Sequence, residues 1–164
     1  MPNPDRIVIN TSPIIALTAA MGNLTVLQDL YSEILVPWEV SQEILVNGGS
    51  RFAAEEFRSA FWLNKINQPQ RISPLLLNSL DRGEAAVIQL AQNESINTVC
   101  IDESVGRRIA RLSGLKLTGS IGILIRAKRE GRLHSMRDAI DKMQNQGIRL
   151  SSTVIHIAIK ESGE

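Results

Sequence analysis

The stretch Ile7-Val8-Ile9-Asn10-Thr11-Ser12-Pro13-Ile14 decides the fold, because the pattern changes partway along it. Three β-branched residues in a row read as a short strand. Asn10, Thr11 and Ser12 then bring polar side chains of the kind that accept hydrogen bonds from the free N–H groups of a helix start. A helical pattern begins at Ile14. A strand, a capped turn and a helix within so few residues make the opening of a β–α unit.

The alternation continues outward from there. After Gly22-Asn23, Leu24, Leu27 and Leu30 repeat at helical spacing, and Ile34-Leu35-Val36 reads as a second strand. Pro37 suits the first residue of a helix over roughly 37–46, which is expected to stop at Asn47-Gly48-Gly49. Residues 51–61 read as helix, and 62–74, with Trp62, Pro69 and Pro74, as a short extended piece with a loop. Residues 83–94 form an alanine-rich helix, 98–101 a strand, 104–113 a helix, 115–117 a further parallel-strand candidate and 120–130 a helix. Weaker helical segments follow near 135–146 and 151–160. Strand and helix in this order predict an α/β fold with a mostly parallel central sheet and helices on both faces, joined by right-handed crossovers. A chain of 164 residues suits one domain spanning 1–164.

Composition excludes several classes. Apolar residues make up 43% and charged residues 21%, near the globular average, so neither disorder nor a fibrous repeat is expected. Apolar runs such as 121–125 fall far short of the ~20 residues that cross a bilayer. Residues 1–6 carry no apolar signal core, so a cytoplasmic protein is expected. Cys100, the single cysteine, lies in the run Val99-Cys100-Ile101 and reads as a core thiol. With a net charge of +1, the whole-molecule field does not attract polyanions, and nucleic-acid binding would need a local patch.

In open parallel sheets, ligands bind outside the carboxyl ends of the strands, near the switch in strand order. The residues that follow the strands are Asn10, Asp102 with Glu103, and Thr118 in Thr118-Gly119-Ser120. Glu43 and Glu84 can reach the same edge from their helices. Such oxygen groups suit Mg²⁺ or Mn²⁺, which accept a few carboxylates plus waters or a phosphate. An ion so held activates water and stabilises the leaving oxygen of a phosphodiester.

At this point the sequence resembles the PIN-domain superfamily, and within it the small prokaryotic PIN-like proteins. The stretches that carry the resemblance are residues 10–17 (NTSPIIAL), Val36-Pro37 with Glu43, residues 83–88 (GEAAVI), Ile101-Asp102-Glu103 and residues 117–122 (LTGSIG). The resemblance covers nearly the whole chain. It implies a PIN-like three-layer fold and a metal-dependent ribonuclease related to the toxins of toxin–antitoxin modules. RNA would be the substrate, a small antitoxin protein the partner and a homodimer the assembly. It also implies that Asn10, Glu43, Glu84 and Asp102 form the catalytic set, with Glu43, Glu84 and Asp102 as metal ligands and Ser12, Glu103 and Thr118 in support. Position 10 departs from the pattern: the family's first strand normally ends in aspartate. Asparagine keeps a carbonyl oxygen but loses the charge, so metal affinity should fall. A catalytically silent PIN-like module that binds RNA or a protein is therefore the second expectation.

Plainer readings stand beside these. Asn10 or Ser12 can simply cap the first helix, and Asp81 with Glu84 has the spacing of a capping box. Glu43, four residues after Glu39, can belong to a solvated face, and Asp102 can be a turn or cap residue. Residues 118–122 lack the lysine and glycine spacing of nucleotide loops and read as a tightly packed helix cap. On the helix over 104–113, Val105, Ile109 and Leu112 mark the expected buried stripe, leaving Arg107, Arg108 and Arg111 as candidate nucleic-acid contacts. Arg126, Lys128, Arg129 and Arg132 form a second basic cluster. His134 and His156 have no partner at metal or triad spacing.

Overall fold

A computed structural model describes residues 6–46 and 51–164. The stop expected at Asn47-Gly48-Gly49 lies outside the described residues. The first strand, β1 (Arg6–Ile9), leads into α1 (Thr11–Met21) and α2 (Thr25–Leu30). After β2 (Glu33–Val36) come α3 (Trp38–Leu45), α4 (Arg51–Ser59) and a two-residue edge strand, β3 (Asn64–Lys65). The chain continues through α5 (Pro74–Ser79), α6 (Arg82–Asn93), β4 (Thr98–Cys100), α7 (Ser104–Leu112) and β5 (Lys116–Thr118). It closes with α8 (Ser120–Arg129), α9 (Met136–Asn145) and α10 (Ser152–Glu161).

All described strand pairs are parallel, in the order β3-β2-β1-β4-β5. Ile7 lies opposite Ile34 on one side and Thr98 on the other, and Cys100 lies opposite Thr118. The centre of the sheet is covered on both faces, which is why β1 is an unbroken apolar run: Ile7, Val8 and Ile9 are all fully buried. On one face α1 packs against α4, α8 and α9; on the other α6 packs against β1, β4, α5 and α7, and α3 touches both α1 and α6. This is the expected three-layer α/β fold.

Burial explains α1. Seven of its residues, from Pro13 to Ala20, are buried, so it is apolar nearly all round. It ends where Gly22, at φ 77°, adopts the left-handed conformation and its N–H bonds to the Thr18 carbonyl. Truncating a fully buried side chain such as Leu17 to alanine would cost about 2–5 kcal/mol.

Three expectations change. Residues 74–79 form a helix, α5, which starts at Pro74, whose missing N–H is one that a helix start leaves unpaired anyway. Pro37 precedes its helix at the N-cap position instead of opening it. On α7 the buried positions are Gly106 and Ala110, whereas Val105 and Leu112 are 54% and 74% exposed. Ile109, the third residue of that stripe, is half-buried against the core, and Gly106 sits so close to Ile101 that an added Cβ would be 2.9 Å from its side chain. None of the described helices is long and apolar enough to cross a membrane.

Candidate functional site

The strand order turns around between β1 and β4. The chain runs outward from β1 through β2 to β3, then returns to add β4 and β5 on the other side. The carboxyl ends of β1 and β4 therefore sit side by side at the crevice where such sheets bind ligands. There the Asn10 amide donates to the Cys100 carbonyl at 3.0 Å. Asn10 is 5% exposed, and its side-chain Oδ1 has no hydrogen-bond partner among the described residues. Although Asn10 occupies the N-cap position of α1, it makes no side-chain cap bond, so capping does not explain it. A buried acceptor without a partner costs about 1–3 kcal/mol.

The N-terminus of α6 brings acids to the same edge. Asp81 caps it, accepting from the Glu84 amide at 2.9 Å. Glu84 does not complete a capping box. Its carboxyl, in a side chain only 4% exposed, turns toward Glu103 and Asp81. Burial first, then the hydrogen bond with Glu103 and the charge of Asp81, push Glu84 up to about 8. Oxygens of Asp81, Glu84 and Glu103 lie within 4.8 Å of one another, and the three can hold a divalent cation.

Glu43 reaches this group from α3. Its Oε2 accepts from Thr11 Oγ1 at 2.6 Å, and its carboxylate also accepts from the Gly83 amide at the start of α6. It is held at the positive end of a helix, where an anion is favoured. Burial, opposed by the Thr11 hydrogen bond, still leaves its pKa raised. Gly83 is required for this approach, because a Cβ there would stand 2.9 Å from the Glu43 carboxyl carbon. Gly106 chiefly makes room for Ile101: an added Cβ would be 2.9 Å from the Ile101 side chain and 3.2 Å from Glu84 Oε2. Glu39 is also turned inward, 3% exposed, and accepts from the Gln70 amide at 2.8 Å. The solvated-face reading of this helix therefore does not hold.

Asp102 and Glu103 diverge, as successive residues of an extended chain do. Glu103 faces α6. Asp102 faces α8, where its oxygens accept from Ser120 N at 2.7 Å and Ser120 Oγ at 2.8 Å. Arg107 Nη1 donates to the carbonyls of Ile101 at 2.7 Å and Thr118 at 3.2 Å, tying together the ends of β4 and β5. Gly119 leaves room for both groups: a Cβ on it would be 2.7 Å from Asp102 Oδ1 and 3.0 Å from Arg107 Nη1. Thr118 Oγ1 makes one long bond, 3.4 Å, to the Gly119 carbonyl. Ser12 is exposed at the start of α1.

Of the sequence-predicted residues, then, Glu84 and Glu103 share one acidic group, with Glu43 joined to it through Gly83. Asp102, Thr118 and Ser12 lie toward α8 instead. Asp81 was legible only as a capping residue; its spacing to Glu84 gave no sign that it also belongs to the acidic group. Arg108 and Arg111 are exposed on α7, whereas Arg107 is committed to backbone carbonyls. Much of the second basic cluster is occupied: Arg126 pairs with Glu130, Arg129 with Glu161 and Lys128 with Glu164.

A five-stranded parallel sheet with acids gathered at its switch point defines an α/β domain with a candidate metal site. The model of the DUF3368 family, described as a PIN domain, matches residues 6–164, and the chain belongs to that family. No curated protein matches the chain significantly.

Proposed function

We propose that this PIN domain is a metal-dependent ribonuclease that uses Mg²⁺ or Mn²⁺ to cleave RNA phosphodiester bonds. The observation that carries this reading is the oxygen-only group of Asp81, Glu84 and Glu103, within 4.8 Å of one another at the sheet's switch point. Ligands on opposite sides of an octahedral Mg²⁺ stand about 4.2 Å apart, so small side-chain movements suffice. Glu43 and the unpartnered Oδ1 of Asn10 lie at the same sheet edge and offer further oxygen donors. A bound ion would acidify an attacking water and offset charge on the leaving oxygen. The chain's own contribution is to fix the acids. The α6 N-terminus holds Glu43, Gly83 lets that carboxylate approach, and Arg107 locks the strand ends.

The resemblance to toxin ribonucleases extends the proposal to a toxin whose activity a small antitoxin protein restrains, working as a homodimer. Growth arrest on expression of the chain alone, and its relief by a neighbouring small open reading frame, would support that part.

A second reading is favoured by one observation: Asn10 is a neutral amide at the end of β1, where the resemblance to PIN domains implies an acid. On that reading the domain is catalytically silent and binds RNA or a protein. Incubating a mixed RNA pool with Mn²⁺ or Mg²⁺ and the wild type, Asn10→Asp, Glu84→Gln and Asp102→Asn separates the two. Cleavage by wild type that Glu84→Gln abolishes supports the nuclease. Cleavage by Asn10→Asp alone identifies a silenced nuclease, and no cleavage by any variant leaves the binding module as the better reading.

A further inference from the structure

On the α8 side of Asp102 the surface falls into a cleft of about 710 Å³. We propose that this cleft seats an unpaired nucleotide of an RNA strand, the base against its aliphatic wall and the phosphate on Arg149; this rests on the RNA-directed reading above.

The wall is built from Ile15 of α1, Leu117 of β5, Ile121 of α8, Leu150, and Val154 and Ile157 of α10. Val154 and Ile157, three residues apart, share one face of α10. Ile157 is 47% exposed, so this face is left without apolar cover. Polar groups in the lining include the hydroxyls of Ser12, Thr118 and Ser151, the Asp102 carboxylate bonded to Ser120, Arg107, which is committed to backbone carbonyls, and the guanidinium of Arg149. Arg149 is exposed and pairs with no carboxylate among the described residues. An apolar slot with hydroxyls and one unpaired cation at its mouth matches a nucleotide, which is a flat, largely apolar ring carrying polar edges and an anion.

The volume falls within the ~300–1,000 Å³ of small-ligand sites, enough for a nucleotide and far too small for a duplex. Bases can enter such a slot only from an unpaired strand, where they can be splayed out of the stack. The lining contains no aromatic side chain, so the contact is by shape and dispersion, and weak base preference follows. Asp102 lines the cleft, and the next residue, Glu103, belongs to the carboxyls on the opposite, α6 side of the same strand end. An RNA strand seated in the cleft and crossing that strand end would carry a neighbouring phosphate toward those carboxyls.

The test is fluorescence anisotropy of a short labelled RNA of mixed sequence, in Ca²⁺ and separately in EDTA. It would use the full chain as wild type, Ile157→Asp, Arg149→Glu and, as a charge control at the far end of α8, Arg132→Glu. Circular dichroism melts would establish that each variant is folded. The expected result is that the single strand binds, that Ile157→Asp and Arg149→Glu each weaken it on the order of tenfold, and that Arg132→Glu and duplex competition have little effect. Binding that is unchanged in both cleft variants, or equal for duplex, overturns the cleft while leaving RNA binding intact. Absence of binding by wild type in both conditions overturns the RNA reading and the cleft together. If Ile157→Asp instead converts a dimer to a monomer in sedimentation without altering RNA affinity, a second copy covers this face and the proposal fails.

Discussion

Replacing Glu84 with glutamine should flatten the dependence of stability on pH. In the folded chain Glu84 is 4% exposed, and burial, then Glu103 and Asp81, carry its carboxyl from an ordinary 4.5 to about 8. The unfolded chain ionises at the ordinary value, so between these two pH values it holds fewer protons than the folded chain, and raising the pH costs stability. The stabilising contribution of the protonated carboxyl is complete below about 4.5 and is lost as the pH rises through about 8. At about 1.4 kcal/mol per pH unit for one proton, the ceiling is on the order of 5 kcal/mol. Rearrangement of the exposed Glu103 and Asp81 reduces that to a few kcal/mol, still a large part of the ~5–15 kcal/mol that holds a domain together. Urea titrations in a chelator, stepped from about pH 5 to about pH 9, should show the wild-type midpoint falling. The Glu84→Gln midpoint should fall less, retaining only the smaller contribution of Glu43, which burial shifts in the same direction. At the alkaline end, Mg²⁺ or Mn²⁺ at a hundred times its Kd should restore about 2.7 kcal/mol to the wild type. The variant should recover less. Parallel pH profiles for the two proteins would refute the claim that Glu84 carries a buried proton.

Three further outcomes are expected. Asn10→Asp should bind Mn²⁺ at least about tenfold more tightly in calorimetry, because a charged ligand replaces an amide, and should be less stable than wild type in a chelator, because it adds an acid to an acidic edge. Gly83→Ala should lower stability by about 1–3 kcal/mol in chemical denaturation, since its Cβ collides with the Glu43 carboxylate; combining it with Glu43→Ala should return part of that loss. Asp102→Ala removes the acceptor for Ser120 N and Oγ at the start of α8. A cost of about 1 kcal/mol is expected, with Ser120 protected less well from hydrogen exchange than in wild type.

Much of the fold could be read along the chain because its signals are local. The switch from a β-branched run to helical spacing at Asn10, the apolar runs of β2 and β4 and the alanine-rich α6 each express one element's own burial. The misreadings occurred where packing overrode pattern. Val105, Ile109 and Leu112 have helical spacing, but only Ile109 packs against the core, and Gly106, lying against Ile101, and Ala110 are the buried positions. The helix α5 was hidden because six residues are too few for periodicity to show.

The candidate site divides in the same way. Which polar residues stand at strand ends and helix starts follows from the sequence alone: Asp102 and Glu103 after β4, Glu84 in the first turn of α6, Glu43 on α3, and Asn10 after β1. Their grouping depends on the tertiary structure. Asp81, Glu84 and Glu103 converge because the return of the chain to β4 lays α6 beside that strand's end, a contact between residues far apart in sequence. Asp102 departs from its neighbour because an extended backbone sends adjacent side chains to opposite faces, and Ser120 waits on the far one. The raised pKa of Glu84 likewise depends on burial and on two neighbouring carboxyls, which only the folded chain supplies.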